Sequence, residues 1–295
     1  MTPAEQGFLL LTCSLADPAR KPLTTAQLRN LAQRVKAAPR FSPDQQLQET
    51  HLVEMGYDRD SARHILELLS QEQQLQWYLR CAGQAGCVPI TRASRDYPQC
   101  LSRNLGDERP GILWAKGDPA LLQLPAVALV GSRRILPENL DFARQAGAQA
   151  AKQGFVLISG NAKGADSAAQ ESCLEQGGYV ISVVADRLDA HKARDRVLYL
   201  SEEDFDAPFT SARALRRNRV IHALASRVLV AQATLGKGGT WEGTRQNLRH
   251  GWSPVFCFDD GSQACRELSQ MGAQLISTGQ LSRLSQLQAA TASFL

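Results

Sequence analysis

Residues suited to holding an anion recur at four points in the chain, mixing glycine, small hydroxyl or cationic groups. The first is Gly131-Ser132-Arg133-Arg134, which follows an apolar run at 127–130 and precedes a helical pattern opening at Pro137-Glu138-Asn139. A strand that turns on glycine into a helix leaves backbone N–H groups pointing outward, where the helix dipole favours negative charge. Two guanidinium groups there can add charge-assisted hydrogen bonds to phosphate oxygens. The second point is Ser159-Gly160-Asn161-Ala162-Lys163-Gly164-Ala165-Asp166. Gly160 and Gly164 allow close approach of backbone to a ligand, Asn161 lies between them, and Lys163 can contact phosphate. Asp166 reads first as a cap of the following helix and second as an acceptor for a sugar hydroxyl. The spacing is not GxxxxGK[ST], and Gly131 is not part of GxGxxG, so neither a triphosphate loop nor a dinucleotide fingerprint is present.

The third point is Arg216-Arg217-Asn218-Arg219. At about 100° per residue these side chains cannot share one helix face, so some arginines must face the site while others lie along its rim. Asn218 can donate and accept, which suits a base or ribose edge. The fourth is Lys237-Gly238-Gly239-Thr240-Trp241-Glu242, with Thr240 expected as a helix cap. Trp241 can stack a base, although core packing is the commoner role beside a helix start. Glu242 is either a general base or an arginine's partner, and pairing is the favoured reading.

These residues need rigid elements behind them. Apolar runs at 127–130, 155–159, 179–184, 197–200, 228–231 and 255–258, with a late one at Leu275-Ile276, alternate with helical patterns. That is the mark of an α/β fold, a Rossmann-like parallel sheet with helices on both faces. Ligands of such sheets bind beyond the carboxyl ends of the strands, where the unusual residues cluster. The organisation expected is a helical module at 1–82, a lead-in at 83–125 lying against the larger unit, the sheet domain at 126–280 and a tail at 281–295. In the module, Thr24-Thr25-Ala26-Gln27 is a capping signal, and Asp58 and Asp60 precede a second amphipathic helix. The helix after Pro137 should bury Leu140, Ala143, Ala146 and Ala150.

Composition narrows the class. The 295 residues carry a net charge of +4, and residues 1–90 hold nine Lys/Arg against nine Asp/Glu. The excess is densest at 207–241, with Arg213, Arg216, Arg217, Arg219, Arg227 and Lys237 and no acid. A field of that sort suits an anionic partner. Seven cysteines without CxxC spacing and five scattered histidines point to free thiols in a reducing cytoplasm, with no metal and no cofactor site. No apolar run approaches ~18 residues, so no membrane span is expected.

Taken together, Gly131-Ser132-Arg133, Ser159-Gly160-x-Ala162-x-Gly164-x-Asp166, Gly177-Gly178, Leu188-Asp189, Ser201-Glu202, Arg217-Asn218-Arg219 and Gly238-Gly239-Thr240 resemble the DNA-processing protein A family, also called DprA or Smf. Asp96-Tyr97-Pro98 and Leu113-Trp114-Ala115-Lys116-Gly117 are similar to its lead-in. The pattern is departed from in several places: Ala214 stands where it has an aromatic residue, Gln170 where it has histidine, and its Gly-Ser-rich loop reads Gly238-Gly239-Thr240-Trp241-Glu242. The resemblance implies a Rossmann-like domain of the SLOG type that binds single-stranded DNA in a basic pocket and hands it to a RecA-type recombinase in natural transformation, with homodimers possible and no established enzyme activity. By motif, Ser132 and Arg133 would hold phosphate, Lys163 would line the pocket, and Arg217 and Arg219 would contact the DNA backbone. An alternative comes from the related phosphoribohydrolases: a nucleotide sensor or an enzyme on a small nucleotide, with Glu242 as the acid or base.

Overall fold

Strands that are apolar on both faces can be satisfied only when covered on both faces, and the fold follows from that. The computed structural model describes residues 1–38 and 47–287. Five helices come first: α1 (Pro3–Thr12), α2 (Thr25–Ala37), α3 (Glu49–Glu54), α4 (Arg59–Leu69) and α5 (Glu72–Gln84). Then follow β1 (Cys87–Thr91), α6 (Gln99–Leu105), β2 (Ile112–Lys116), β3 (Ala126–Gly131), α7 (Pro137–Lys152), β4 (Val156–Ser159), α8 (Ala165–Glu175) and β5 (Val180–Val183). The remaining elements are β6 (Val197–Ser201), α9 (Ser211–Leu224), β7 (Val228–Gln232), α10 (Gly238–His250), β8 (Val255–Phe258), α11 (Gln263–Gln270) and β9 (Gln274–Ile276).

The strands form one sheet in the order β1-β2-β6-β5-β4-β3-β7-β8-β9. From β6 to β9 every pairing is parallel. The chain steps outward from β3 in both directions, so β3 is the topological switch point, where crossovers leave a crevice at the carboxyl ends. The lead-in does more than lie against this sheet: β2 pairs antiparallel with β6, and β1 antiparallel with β2, extending it.

Alternation along the central strands sorts the core. Ala128, Val130, Val156, Ile158, Val228 and Val230 pack with Val220 and Ile221 of α9 and with α11. Val127, Leu129, Leu157, Leu229 and Ala231 pack on the other face with α7 and α8. The buried side of α7 is Asn139, Phe142, Ala143, Ala146, Gly147 and Ala150. Leu140 is only half-buried, because Phe142 and Asn139 take the inward positions. The expected tail begins as a short 3-10 stretch, Thr278–Gln286, tied to α7 through Gln153, whose side chain bonds the Leu281 carbonyl and the Leu284 N–H; residues 288–295 lie outside the described residues.

The helical module docks through polar ties and an aromatic cluster. Asp204 accepts from the N–H and hydroxyl of Ser14, and the Tyr78 hydroxyl donates to Asp206 at 2.7 Å. The rings of Tyr78, Trp114 and Phe205 pack edge-on or tilted, with centroids within 5.7 Å of one another. The Thr24–Gln27 capping box and the Asp58 cap are both formed. All seven cysteines are free. Among the described residues no helix is long and apolar enough to cross a membrane.

Two consequences are measurable. Mid-helix Gly147 should by propensity gain about 1 kcal/mol on replacement by alanine. A Cβ there overlaps the Ala169 carbonyl of α8, however, and overpacking costs about 1–3 kcal/mol. Gly147→Ala therefore lowers the melting temperature by a few degrees; a rise would contradict this packing. Second, His222 is fully buried between α9 and α10, its Nδ1 facing Asn247 Nδ2 at 3.1 Å, and burial pushes its pKa down to about 3. The unfolded chain takes up that proton first, so the His222 contribution is complete above pH 6.5 and declines as pH falls towards 3. At pH 4.5 this amounts to about 2–3 kcal/mol. In melting curves from pH 7 to 4.5, His222→Leu should lose stability less steeply than the parent.

Candidate phosphate-binding site at the strand tips

The anion-suited turns converge where β3, β4 and β7 end. Gly131 closes β3, and a side chain there would overlap the Ala165 methyl group at the start of α8. The Ser132 carbonyl accepts from Ala165 N–H at 3.2 Å, and Ser132 Oγ folds back to donate to the Arg134 carbonyl at 2.8 Å. Gly164 sits at φ +86°, with the Ser132 and Arg133 carbonyls where a Cβ would go, so only glycine fits. The turn bearing Asn161 and Lys163 is thereby pinned against the turn bearing Arg133. Asn161, Lys163, Arg133 and Arg134 are all exposed.

The third wall comes from α10. Its N-cap is Lys237, not Thr240, and no side chain caps it. Thr240 lies one turn in and donates its hydroxyl to the Gly131 carbonyl at 2.9 Å, stapling α10 to the tip of β3. Asn218 does not present an edge to the site: its Nδ2 donates to the Gly239 carbonyl at 3.0 Å, joining α9 to α10. Exposed Lys237 and Gly238 thus stand beside the β3 turn.

At the centre is Arg217, only 8% exposed. Its guanidinium lies against the Gly160 backbone so closely that any Cβ at 160 would overlap it. Its Nε and Nη1 are buried without a hydrogen-bond partner. Burial lowers its pKa, Asp166 opposes that, and Arg133 adds repulsion. Asp166 is buried too, and it does not cap its own helix. Its Oδ2 reaches back to accept from Gly160 N–H at 3.0 Å and Ala162 N–H at 3.3 Å, shaping the turn under Arg217. Burial raises its pKa to about 6 against the pull of Arg217, those N–H bonds and Arg133.

The other arginines of the basic run are engaged elsewhere. Arg213 and Arg216 both pair with Glu203, at 3.0 and 2.8 Å. Arg219 pairs with buried Glu202 at 2.7 Å and bonds the Glu108 carbonyl. It faces away from Arg217, two residues and ~200° around the helix, and makes none of the cradle. Arg227 bonds the Leu284 carbonyl. The run is acid-free only along the sequence: Glu202 and Glu203, just upstream, pair with three of its arginines. Trp241 is buried in the core at 7% exposure and offers no stacking face. Glu242 pairs with Arg245 at 3.0 Å and with Gln246, and these bonds hold its pKa below the usual range, opposite to what a general acid needs.

Sequence reasoning passed over two contributors. Asp186, just beyond β5, acts electrostatically on Arg217 and pairs with His191 at 2.9 Å. Gln170, the residue in place of histidine, donates from Nε2 to Ser159 Oγ at 2.5 Å and lies 3.3 Å from Ser182 Oγ, bracing β4 and β5 behind the turn. Position at a strand tip was the signal for Asp186; burial, which only the fold reveals, was that for Gln170. Among the described residues no group of three or more His, Cys, Asp or Glu is placed to hold a metal ion.

A family model for DNA recombination-mediator protein A matches residues 89–285. The chain belongs to that family. The DNA processing protein DprA of Streptococcus pneumoniae is 33% identical over 197 residues, spanning 62% of this chain and 69% of the relative. Protein Smf of Escherichia coli is 29% identical over 195 residues, 61% of this chain and 51% of Smf. The crystal structure of the Streptococcus pneumoniae DprA superposes with a TM-score of 0.74, covering 98% of this chain and all of the other at 24% identity, which is likeness of fold. A structure of DNA processing protein A from Helicobacter pylori, described for its single-stranded DNA binding mode, matches 64% of this chain and 90% of its own length, at 28% identity and a TM-score of 0.55.

Two neighbouring arginines of one helix should respond in opposite ways. Arg219→Ala leaves Glu202 buried and unpaired, a loss of about 3–5 kcal/mol. Arg217→Met removes a buried cation that makes no ion pair and is opposed only at a distance by Asp166, so stability should hold or rise. Urea unfolding of both variants tests this; an equal loss from both would make Arg217 a structural residue.

Proposed function

We propose that this protein binds single-stranded DNA, with backbone phosphates held between the β3, β4 and α10 turns. The observation that carries the reading is Arg217, a buried guanidinium with Nε and Nη1 unpartnered at the carboxyl end of a parallel sheet. Such a group is costly to leave unmatched, and an anion that completes its bonds recovers that cost. Around it stand Arg133, Lys163 and Lys237, exposed and free to follow a flexible polyanion. Gly160 makes room for the Arg217 guanidinium and Gly164 for the Ser132 and Arg133 carbonyls, while exposed Gly238 leaves the start of α10 uncovered. Family membership and the single-stranded DNA binding described for the Helicobacter pylori protein support the same conclusion. Handover of the strand to a RecA-type recombinase and pairing of two copies enter this reading from the family alone, and no residue of the site carries them.

The test is binding of a fluorescent oligo-dT at rising salt. The parent should show a steep decline of log affinity with log salt. Arg133→Ala or Arg217→Ala should weaken binding and reduce that slope by about one contact each. If oligonucleotides fail to bind at low salt while a mononucleotide raises the melting temperature, the nucleotide-sensor reading replaces this one.

A further inference from the structure

An acid stands among the bases of this site. Asp166 lies within the electrostatic field of Arg217 and Arg133, yet no ion pair joins it to either among the described residues. Its hydrogen bonds go instead to Gly160 and Ala162 N–H, so its charge sits in the floor of the turn that would cradle the phosphate. A phosphate drawn to Arg217 must approach that carboxylate, and like charges at short range favour the protonated form of the weaker acid. Arg217 gains from a phosphate what it gains from Asp166, so the two anions compete for one cation.

We propose that Asp166 is a positioning residue whose proton is linked to anion capture: ionised, it shapes the Gly160–Ala162 turn and balances Arg217, and it takes up a proton as a DNA phosphate takes over that balance. The proton comes from solvent, and no covalent bond in the DNA changes. The inference rests on the reading of the site as a phosphate cradle. Burial already brings Asp166 to about 6 without DNA, so a modest further rise crosses neutrality. The other charged groups acting on this centre are Arg217 from α9, Arg133 from the β3 turn, and Asp186 beyond β5 with its partner His191; Lys163, three residues before Asp166, is exposed. Glu202 also acts on Arg217, but it is committed to Arg219.

The experiment measures oligo-dT affinity from pH 8 to 5.5 at fixed ionic strength. Thymine and phosphodiesters do not titrate in that window, so a slope belongs to the protein. Affinity should rise roughly tenfold as pH falls, the amount that a pKa rise of about one unit on binding produces. Asp166→Asn keeps an acceptor for the two N–H groups and removes the charge. It should bind at pH 8 nearly as tightly as the parent does at pH 5.5, with no slope. His191→Gln should keep the parent's slope; if it abolishes the slope, the proton belongs to the His191–Asp186 pair and the proposal fails. Should Asp166→Asn not fold, calorimetry of the parent in buffers of different ionisation enthalpy reads the same quantity. Uptake of roughly half a proton per site near pH 6.5 supports the linkage, and none overturns it. Binding that is firm but independent of pH defeats only this inference, whereas no binding at any pH defeats the phosphate cradle itself.

Discussion

Keeping a guanidinium dry without giving it a full set of bonds is an expensive arrangement, and much of the architecture near the strand tips exists to maintain it around Arg217. Gly160 gives up its side chain so that the group can lie flat on the backbone. Asp166 supplies opposite charge from a distance while its oxygen shapes the turn beneath. Gln170 fixes the ends of β4 and β5 behind them. The position of α9 is held from both sides: on the β6 side by Glu202 and Glu203, on the α10 side by Asn218 and the His222–Asn247–Ser253 network.

Helix α9 shows how placement, not content, decides what a charge does. Four arginines lie within seven residues. Three are consumed by carboxylates or carbonyls and behave as anchors. The fourth is turned by the helical period towards the crevice and left unmatched. Net charge alone would have valued them equally. Buried pairs such as Arg219–Glu202 gain little over an apolar substitute but are punishing to break, so they fix the helix while Arg217 stays outside any ion pair.

Much of this was legible from residues. Continuous apolar runs gave the parallel strands, since burial on both faces leaves no room for alternation. Thr24 with Gln27 and Asp58 gave helix starts because capping is local chemistry. Gly131, Gly160 and Gly164 were visible because close approach demands glycine, and Gly238 because a backbone at φ +84° favours it. What could not be read were choices among partners far apart in the chain. Thr240 looks like a cap until β3 arrives beside it with a free carbonyl; Asp166 looks like one until its own turn folds back. Arg219 was indistinguishable from Arg217 without knowing that Glu202 lies behind it. Trp241 went to the core because its helix is pressed against the sheet, and β1 and β2 joined the sheet because β6 had an open edge.

The loop between β6 and α9 ties the two halves of the molecule. Its acids Asp204 and Asp206 reach the helical module, while Glu202 and Glu203 hold the helix that carries Arg217. Ser14 and Tyr78 are thus joined, through a few residues of backbone, to the carboxylates that anchor α9. A trimmed chain beginning at β1 would therefore expose Trp114 and Phe205 and strand the carboxylates of Asp204 and Asp206, a few residues from those that hold α9.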